Sequence, residues 1–309
     1  MSRFIIRRLL SLIPTLFIIV TLSFFIIRIA PGGPFSSEKQ VPPEVLQNIL
    51  KKYHMDEPLP MQYVRYLKDM LKGDLGPSFR YKDYSVNELI GKSLPNSMFL
   101  GVVSLALALV SGIAVGIVSA LKQNSWADYL FMSIAVVGIS LPLFVIGPIL
   151  MFILATWLDL LPTSGWITDR NGLKTLIMPA LTLSFPYFAY IARLSRASIL
   201  EILRSDYIRT ARAKGLKESV VVGKHVLKGA MLPVISYLGP AFAGIITGSV
   251  VVEKIFLVPG LGGFFVNSAL NRDYTLIMGT VIVYSVILVL MNFVVDILYG
   301  AIDPRISYK

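Results

Sequence analysis

Few residues in this chain of 309 are placed to do covalent chemistry. Gly91-Lys92-Ser93 has the wording that closes a phosphate-cradling loop. Val86, however, stands where such a loop needs its first glycine, and no strand pattern leads into it. His54 and His225 fall in separate loops on opposite sides of the apolar runs, so neither a metal cluster nor an HExxH pair exists. No GxSxG elbow is present, and without cysteine there is no thiol nucleophile, disulfide framework or cysteine metal site. The polar chemistry collects instead in one basic segment, Arg193–Lys228, with nine Lys/Arg against Glu201, Asp206 and Glu218. Within it Asp206–Lys214 has good helix formers and small residues at Thr210, Ala211 and Ala213, and Gly215 can take the left-handed conformation that ends a helix. A short helix of this kind, off the end of a longer element, suits a cleft on a partner. A basic loop that only sets orientation accounts for the same residues, and on the residues alone both readings stay open.

The elements that must position this segment are apolar. Hydrophobic residues make up 55% of the chain and charged residues 15%, against about 25% charged in ordinary globular domains. Six stretches lack any Asp, Glu, Lys or Arg: Leu9–Ile27, Ser93–Leu121, Tyr129–Leu158, Thr175–Ala192, Gly229–Val252 and Tyr274–Val295. A helix needs about 20 residues to cross a hydrocarbon core of roughly 30 Å. Buried helices of a soluble core would explain one such stretch but not six. The expected fold is therefore an all-α integral membrane protein with six spans, at 9–30, 96–121, 129–156, 175–193, 231–252 and 274–298. The first stretch is too long for a signal h-region and lacks a small-residue cleavage pattern, so it is expected to be retained.

The net charge of +11 is explained by where it lies. Basic residues at Arg3, Arg7, Arg8 and in Arg193–Lys228 flank apolar spans on one side, which by the positive-inside rule places both termini inside. No zinc-finger or RNA-binding signature accompanies it, so no nucleic-acid partner is expected. The first outside loop, 31–95, reads as an ordered helical cap. Val45, Leu46, Ile49, Leu50 and Tyr53 share one helical stripe, and Tyr63, Val64, Leu67 and Leu71 another that Gly73 stops. Ser85 with Glu88 makes a capping box before a third short helix. The charge-free stretch Ile255–Asn271 holds Pro259, Gly260, Gly262 and Gly263, and reads as a re-entrant or surface-lying segment, not a seventh span. Arg28 and Glu253 sit at span boundaries. Snorkelling to water suits Arg28; a contact to an external ligand or an internal pair holding the outer loop suits Glu253. Gly112 with Gly116 has the spacing that lets spans approach closely.

Arg209-Thr210-Ala211-Arg212-Ala213-Lys214-Gly215-Leu216, followed by Leu232-Pro233, resembles the cytoplasmic EAA loop of ABC-importer permeases in its peptide-permease form. Arg209, Thr210 and Ala211 take the E-A-A positions, of which only Ala211 keeps the family letter. The stretch from Gly215 to Pro233 is longer than in sugar-type permeases. Further resemblance lies in Ile29-Ala30-Pro31-Gly32-Gly33-Pro34, in Gly73-Asp74-Leu75-Gly76-Pro77-Ser78 and in Glu253, Phe256, Pro259, Gly260 and Gly262. Asn271-Arg272-Asp273-Tyr274 and Asp303-Pro304-Arg305 complete it. The family is that of the oligopeptide, dipeptide and nickel importers, and the wording is nearest to its oligopeptide branch.

The resemblance implies a type I importer permease of the bacterial inner membrane that pairs with a homologous second permease. It implies two cytoplasmic ATPases that bind the ATP and magnesium, a periplasmic binding protein and a peptide substrate. Asp206–Leu216 would be the coupling helix, and Glu253, Phe256, Pro259, Gly260 and Asp273 would belong to an outer loop or gate. This chain is expected to hold no catalytic residue, metal or cofactor of its own. Two other classes compete. A proton-coupled secondary transporter would need mid-span carboxylates, which the six stretches lack, and commonly two related halves. A channel subunit would need a filter-like segment, and none is seen.

Overall fold

The computed structural model describes residues 2–30, 33, 43–248 and 250–302, and every named element in them is helical. Helix α1 (Ser2–Ile29) is followed by α2 (Pro43–Lys52), α3 (Leu59–Leu71), α4 (Val86–Leu121), α5 (Trp126–Ser140) and α6 (Leu143–Met151). The last of these passes into a π-helical turn at Phe152–Trp157. Next come α7 (Lys174–Leu203), α8 (Asp206–Ala213), α9 (Glu218–Val220), a second π-helical turn (Val221–Val226) and α10 (Leu227–Ala230). Helices α11 (Leu232–Gly248), α12 (Val250–Phe256), α13 (Leu261–Leu270) and α14 (Tyr274–Ile302) complete the order. Pro31, Gly32 and Pro34 of the first family-like segment, and Asp303-Pro304-Arg305 of the last, lie outside the described residues.

Four helices are long and apolar enough to cross a hydrocarbon layer unaided: Leu9–Ile29, α4, α7 and Tyr274–Ile297. Three further apolar stretches are bent pairs. Helix α5 meets Leu143–Trp157 at 114°, Glu218–Ala230 meets Leu232–Ile245 at 50°, and α12 meets α13 at 105°. The stretch expected to span at 129–156 is therefore broken at Leu141 and Pro142. Leu141 is extended (φ −88°, ψ 128°), because Pro142 offers no N–H and crowds a helical residue before it.

Three expectations change. Ser85 and Glu88 do form the capping box, with the Glu88 N–H 3.2 Å from Ser85 Oγ. The helix it opens is not short, however, but runs unbroken through Pro95 to Leu121. In α3 the inward stripe is Tyr63, Tyr66, Leu67 and Met70, packed on Val20 and Phe24 of α1 and Met278 of α14. Val64 and Leu71 are exposed. Helix α7 also continues past Ala192 to Leu203, because arginine propagates a helix well even where the apolar run has ended.

Contacts fix the helix directions. On α4, Gly112 lies against Phe188 and Ile191 of α7, and Gly116 against Ala192, Ser195 and Arg196, so α4 and α7 run parallel. Tyr187 reaches Gly244 and Tyr190 stacks on Tyr237 at 4.2 Å, so α11 runs antiparallel to α7. Val86 and Ile90 at the start of α4 meet Gly279 near the start of α14, so the two helices set out from the same end of the bundle. Phe24 packs on Met278 while Arg28 faces Tyr274, making α1 antiparallel to α14. Helix α7 is the centre of the bundle, touching α4, α5, α6, α11 and α12.

The α4–α7 crossing depends on glycine. A Cβ at Gly116 would stand 2.5 Å from Ser195 Cβ and 2.9 Å from the Ala192 carbonyl. Gly116→Leu is expected to cost at least about 1–3 kcal/mol, the usual price of overpacking a close contact. A thermal melt in detergent checks this against Gly91→Leu, since a Cβ at Gly91 meets nothing within 4 Å.

Candidate functional site

Helix α8 is short and is held by one face. Ser205 precedes it in extended conformation, and its backbone carbonyl accepts from the Ile208 and Arg209 N–H groups, each at 3.2 Å. Asp206 in the first turn suits the positive helix end. Ile208 is fully buried and Ala211 is 7% exposed. Both pack with Ala120 of α4, Ile199 of α7, and Val221, Val226 and Ala230 beyond the helix. Complete burial of an isoleucine contributes about 1.5–3 kcal/mol, so Ile208 carries much of the docking.

The opposite face is free of the chain's own core. Asp206, Tyr207, Arg209, Thr210, Arg212, Ala213, Lys214, Gly215 and Leu216 are all exposed. Arg209 pairs with Asp206 at 2.5 Å, with both side chains largely in solvent. Of the residues Asp206–Leu216 assigned from sequence to this helix, Ile208 and Ala211 turn inward, as packing contacts and not part of the outer face.

The helix ends at Gly215 (φ 74°), whose N–H donates to the Arg212 carbonyl at 2.9 Å. A Cβ there would meet nothing within 4 Å, so glycine is needed for its conformation, not for space. Gly215→Ala is expected to cost about 1–2 kcal/mol of left-handed strain. Faster amide exchange over Lys214–Leu216 with unchanged exchange in α7 would be the signature. Arg212 bridges the turn to Glu218 with Nη2 to Oε1 at 2.6 Å and Nε to Oε2 at 3.2 Å. That guanidinium holds the Glu218 carboxyl below its ordinary range.

At the opposite end of the bundle, the outer-loop residues read from sequence are interior anchors. Glu253 is 2% exposed. Its carboxylate accepts from Ser97 Oγ at 2.6 Å and from the Gly262 N–H at 2.9 Å. Ser97 Oγ in turn accepts from the Leu261 N–H at 2.8 Å. A buried carboxylate thus sits on the N-terminus of α13, where backbone donors and the helix dipole favour an anion. Gly260 allows it, since a side chain there would collide with the Glu253 carboxylate. Pro259 is exposed, with its carbonyl accepting from Asn96 Nδ2 at 2.9 Å. Phe256 is 1% exposed, in the core around Leu100, Met178 and Ile245.

Asp273 is fully buried and works similarly. It accepts from Ser78 Oγ at 2.5 Å, from the Phe79 and Arg80 N–H groups at 3.2 Å, and from the Leu276 N–H at 3.2 Å as α14 begins. Arg28 does not snorkel. Its guanidinium lies 3.5 Å over the Phe24 ring and its Nε donates to Gln62 Oε1 at 3.2 Å. Ser97 was not singled out in the sequence, where a serine near a span end carries no signal, and Ser78 appeared there only within a family-like segment. Among the described residues, no three His, Asp or Glu side chains gather as a metal site.

A multi-pass helical membrane protein with a short amphipathic helix presented at one end, and polar anchors at the other, has the build of a transport permease. The comparisons with known proteins give the class a family. Residues 112–308 match the family described as binding-protein-dependent transport system inner membrane component, and residues 1–100 its N-terminal counterpart. The chain belongs to that family. It is 51% identical to the oligopeptide transport system permease protein OppB of Haemophilus influenzae, covering 100% of both chains. It is 50% identical to OppB of Escherichia coli K12 with the same coverage. A dipeptide transport system permease protein, DppB of Bacillus subtilis, is 42% identical over 99% of this chain and 98% of its own. Among solved structures, an inward-facing MetNI methionine ABC transporter chain matches with a TM-score of 0.58 at 20% identity. The match covers 70% of this chain and 96% of that one, and it speaks for the fold.

Proposed function

We propose that this chain is one permease half of an ATP-driven importer that carries oligopeptides across the bacterial inner membrane. The observation that carries the reading is α8: docked on its own bundle through Ile208 and Ala211, it leaves the rest of its surface outward. Identity of 51% to an oligopeptide permease over the whole chain supports the substrate class. In this reading two ATPases hold the ATP and magnesium, a homologous permease completes the pathway, and a periplasmic binding protein delivers the peptide.

Six crossings with both termini inside fit the helix directions. Helices α4, α7 and α14 run one way while α1 and α11 run the other. Since α4 and α7 are parallel, the bent α5–α6 pair must return across the layer between them. The α12–α13 pair then lies at the outer end, whether re-entrant or surface-lying, the α3 cap sits on α1 and α14, and α8 projects into the cytoplasm.

The physics of coupling follows from that placement. Closure of the ATPases shifts the two-state equilibrium between inward- and outward-open forms by its differential affinity for them. A docked helix delivers the shift, because a packed interface moves as a body and does not deform continuously. Uptake of labelled peptide by vesicles tests the reading. It should require ATP and co-purifying ATPases, and it should survive collapse of the proton gradient. Uptake that follows the gradient alone would assign the chain to secondary transport.

A further inference from the structure

Two charged side chains at the α8 end belong to none of the sites above. Asp128, in the first turn of α5, is 2% exposed. Arg196, on α7, grips it with both arms of its fork: Nε to Oδ1 at 2.7 Å and Nη2 to Oδ2 at 2.7 Å. The Asn124 N–H donates to Oδ2 at 2.9 Å from a left-handed backbone (φ 62°). Ser125 Oγ, the N-cap of α5, accepts from the Asp128 N–H at 3.4 Å. Planar bidentate pairing fixes direction as well as distance.

The surroundings tie this pair to α8. Gly116 of α4 rests on Ser195 and the Arg196 backbone, and Ala120, one turn further, joins Ile199, Ile208 and Ala211 in the layer that seats α8. A residue that merely marked the inner side of a membrane would hold its charge in water. Here the Asp128 side chain is 3% exposed and that of Arg196 25%. Burying an ion pair is weak ground for stability, since desolvation offsets the attraction. Its advantage over apolar contact is registry: methyl groups can slide past one another, whereas a fork on a carboxylate fits one alignment.

We infer that Asp128 and Arg196 are a positioning pair for transport, a clasp that makes α5 and the bent α6 behind it move with α7 when α8 is displaced. This rests on the proposed importer function. Movement of α8 reaches α4 and α7 through the Ile208–Ala211 layer. The clasp extends it to α5, whose far end breaks by 114° into α6.

The test uses the complete complex in proteoliposomes and reads peptide imported per ATP hydrolysed. Three forms are compared with wild type: Asp128→Asn, Arg196→Lys, and the swap of Asp128→Arg with Arg196→Asp. Asp128→Asn is expected to assemble and hydrolyse ATP while the ratio falls at least about fivefold, the lower end of ordinary coupling energies. Arg196→Lys, which keeps the charge but not the fork, should fall between, and the swap should recover part of the loss. An unchanged ratio in Asp128→Asn overturns the inference, as does a parallel fall of uptake and hydrolysis. If Asp128→Asn does not accumulate, an unchanged ratio in Arg196→Lys overturns it equally. Failure of all three to accumulate assigns the pair to folding and also overturns it. Wild-type complex whose uptake ignores ATP would instead sink the importer reading, before any variant is compared.

Discussion

Ala211→Glu is expected to abolish ATP-dependent uptake, by about 100-fold or more, while the bundle of spans stays assembled; each tenfold corresponds to about 1.4 kcal/mol. Ala211 is 7% exposed and lies among Ile199, Ile208 and Val221. A carboxylate forced into that layer finds apolar groups where it needs donors, and burying it unpaired costs several kcal/mol. Against this, α8 has two buried side chains, Ile208 and Ala211. The burial of one isoleucine and one alanine cannot hold the helix down, so α8 lifts from its seat. The spans beneath are held by other contacts, chiefly α4 on α7, and should melt in detergent near the wild-type temperature.

Gly215→Pro should reach the same endpoint by another route. It removes the N–H that bonds the Arg212 carbonyl and demands a negative φ where the chain has 74°. Ala213→Glu adds the same charge as Ala211→Glu, but on the exposed face. It should leave α8 docked, so any loss of uptake there reports on what the exposed face meets. Undiminished uptake in Ala211→Glu would remove α8 from the mechanism.

The second large effect lies at the other end. Glu253→Ala strips the acceptor from Ser97 Oγ and the Gly262 N–H in a site 2% exposed. Each buried donor left without a partner costs about 1–3 kcal/mol. Two of them would displace α13 from α12 and from Ser97 of α4. The expected result is a melting temperature lowered by roughly 5–15 °C, at about 2–4 °C per kcal/mol for chains near this size. Uptake should fall in step. Glu253→Gln keeps one acceptor oxygen and should lose less than half as much. A melt for Glu253→Ala within a degree of wild type would contradict its role as the anchor of α13.

What could be read beforehand divides along a physical line. Apolar length was legible because a hydrocarbon layer sets it locally: each charge-free stretch contains a helix or a bent helix pair. The helical stop at Gly215 and the box at Ser85–Glu88 were legible for the same reason, being interactions within a few residues of chain. Helix continuity was not. The charge-free run that opens at Ser93 hides a helix that starts at Val86, because Lys92 and Glu88 interrupt hydropathy without interrupting backbone hydrogen bonds. The stripe on α3 differs from the expected one at Val64 and Leu71, because Tyr66 and Met70 share the face of Tyr63 and Leu67 that α1 and α14 cover.

The site divides likewise. Its location in Asp206–Leu216 came from the sequence, through local helix chemistry and a family wording. Which side of α8 faces its own bundle depended on Ile199, Val221 and Ala120, residues brought there from three other segments. Glu253 stood out in sequence as a charge at a span boundary and Asp273 as part of a family-like segment, but their work as acceptors for Ser97 and Ser78 depends on contacts across more than a hundred residues. Nothing along the chain pairs Asp128 with Arg196, 68 residues away; the pairing exists only because α5 and α7 lie side by side. The order of residues was enough to say how much of this chain avoids water and where locally capped ends such as Ser85 and Gly215 fall, since those energies belong to neighbouring residues. Tertiary structure alone decided which polar groups meet, because a carboxylate and its donors are paired by packing geometry and not by distance along the chain.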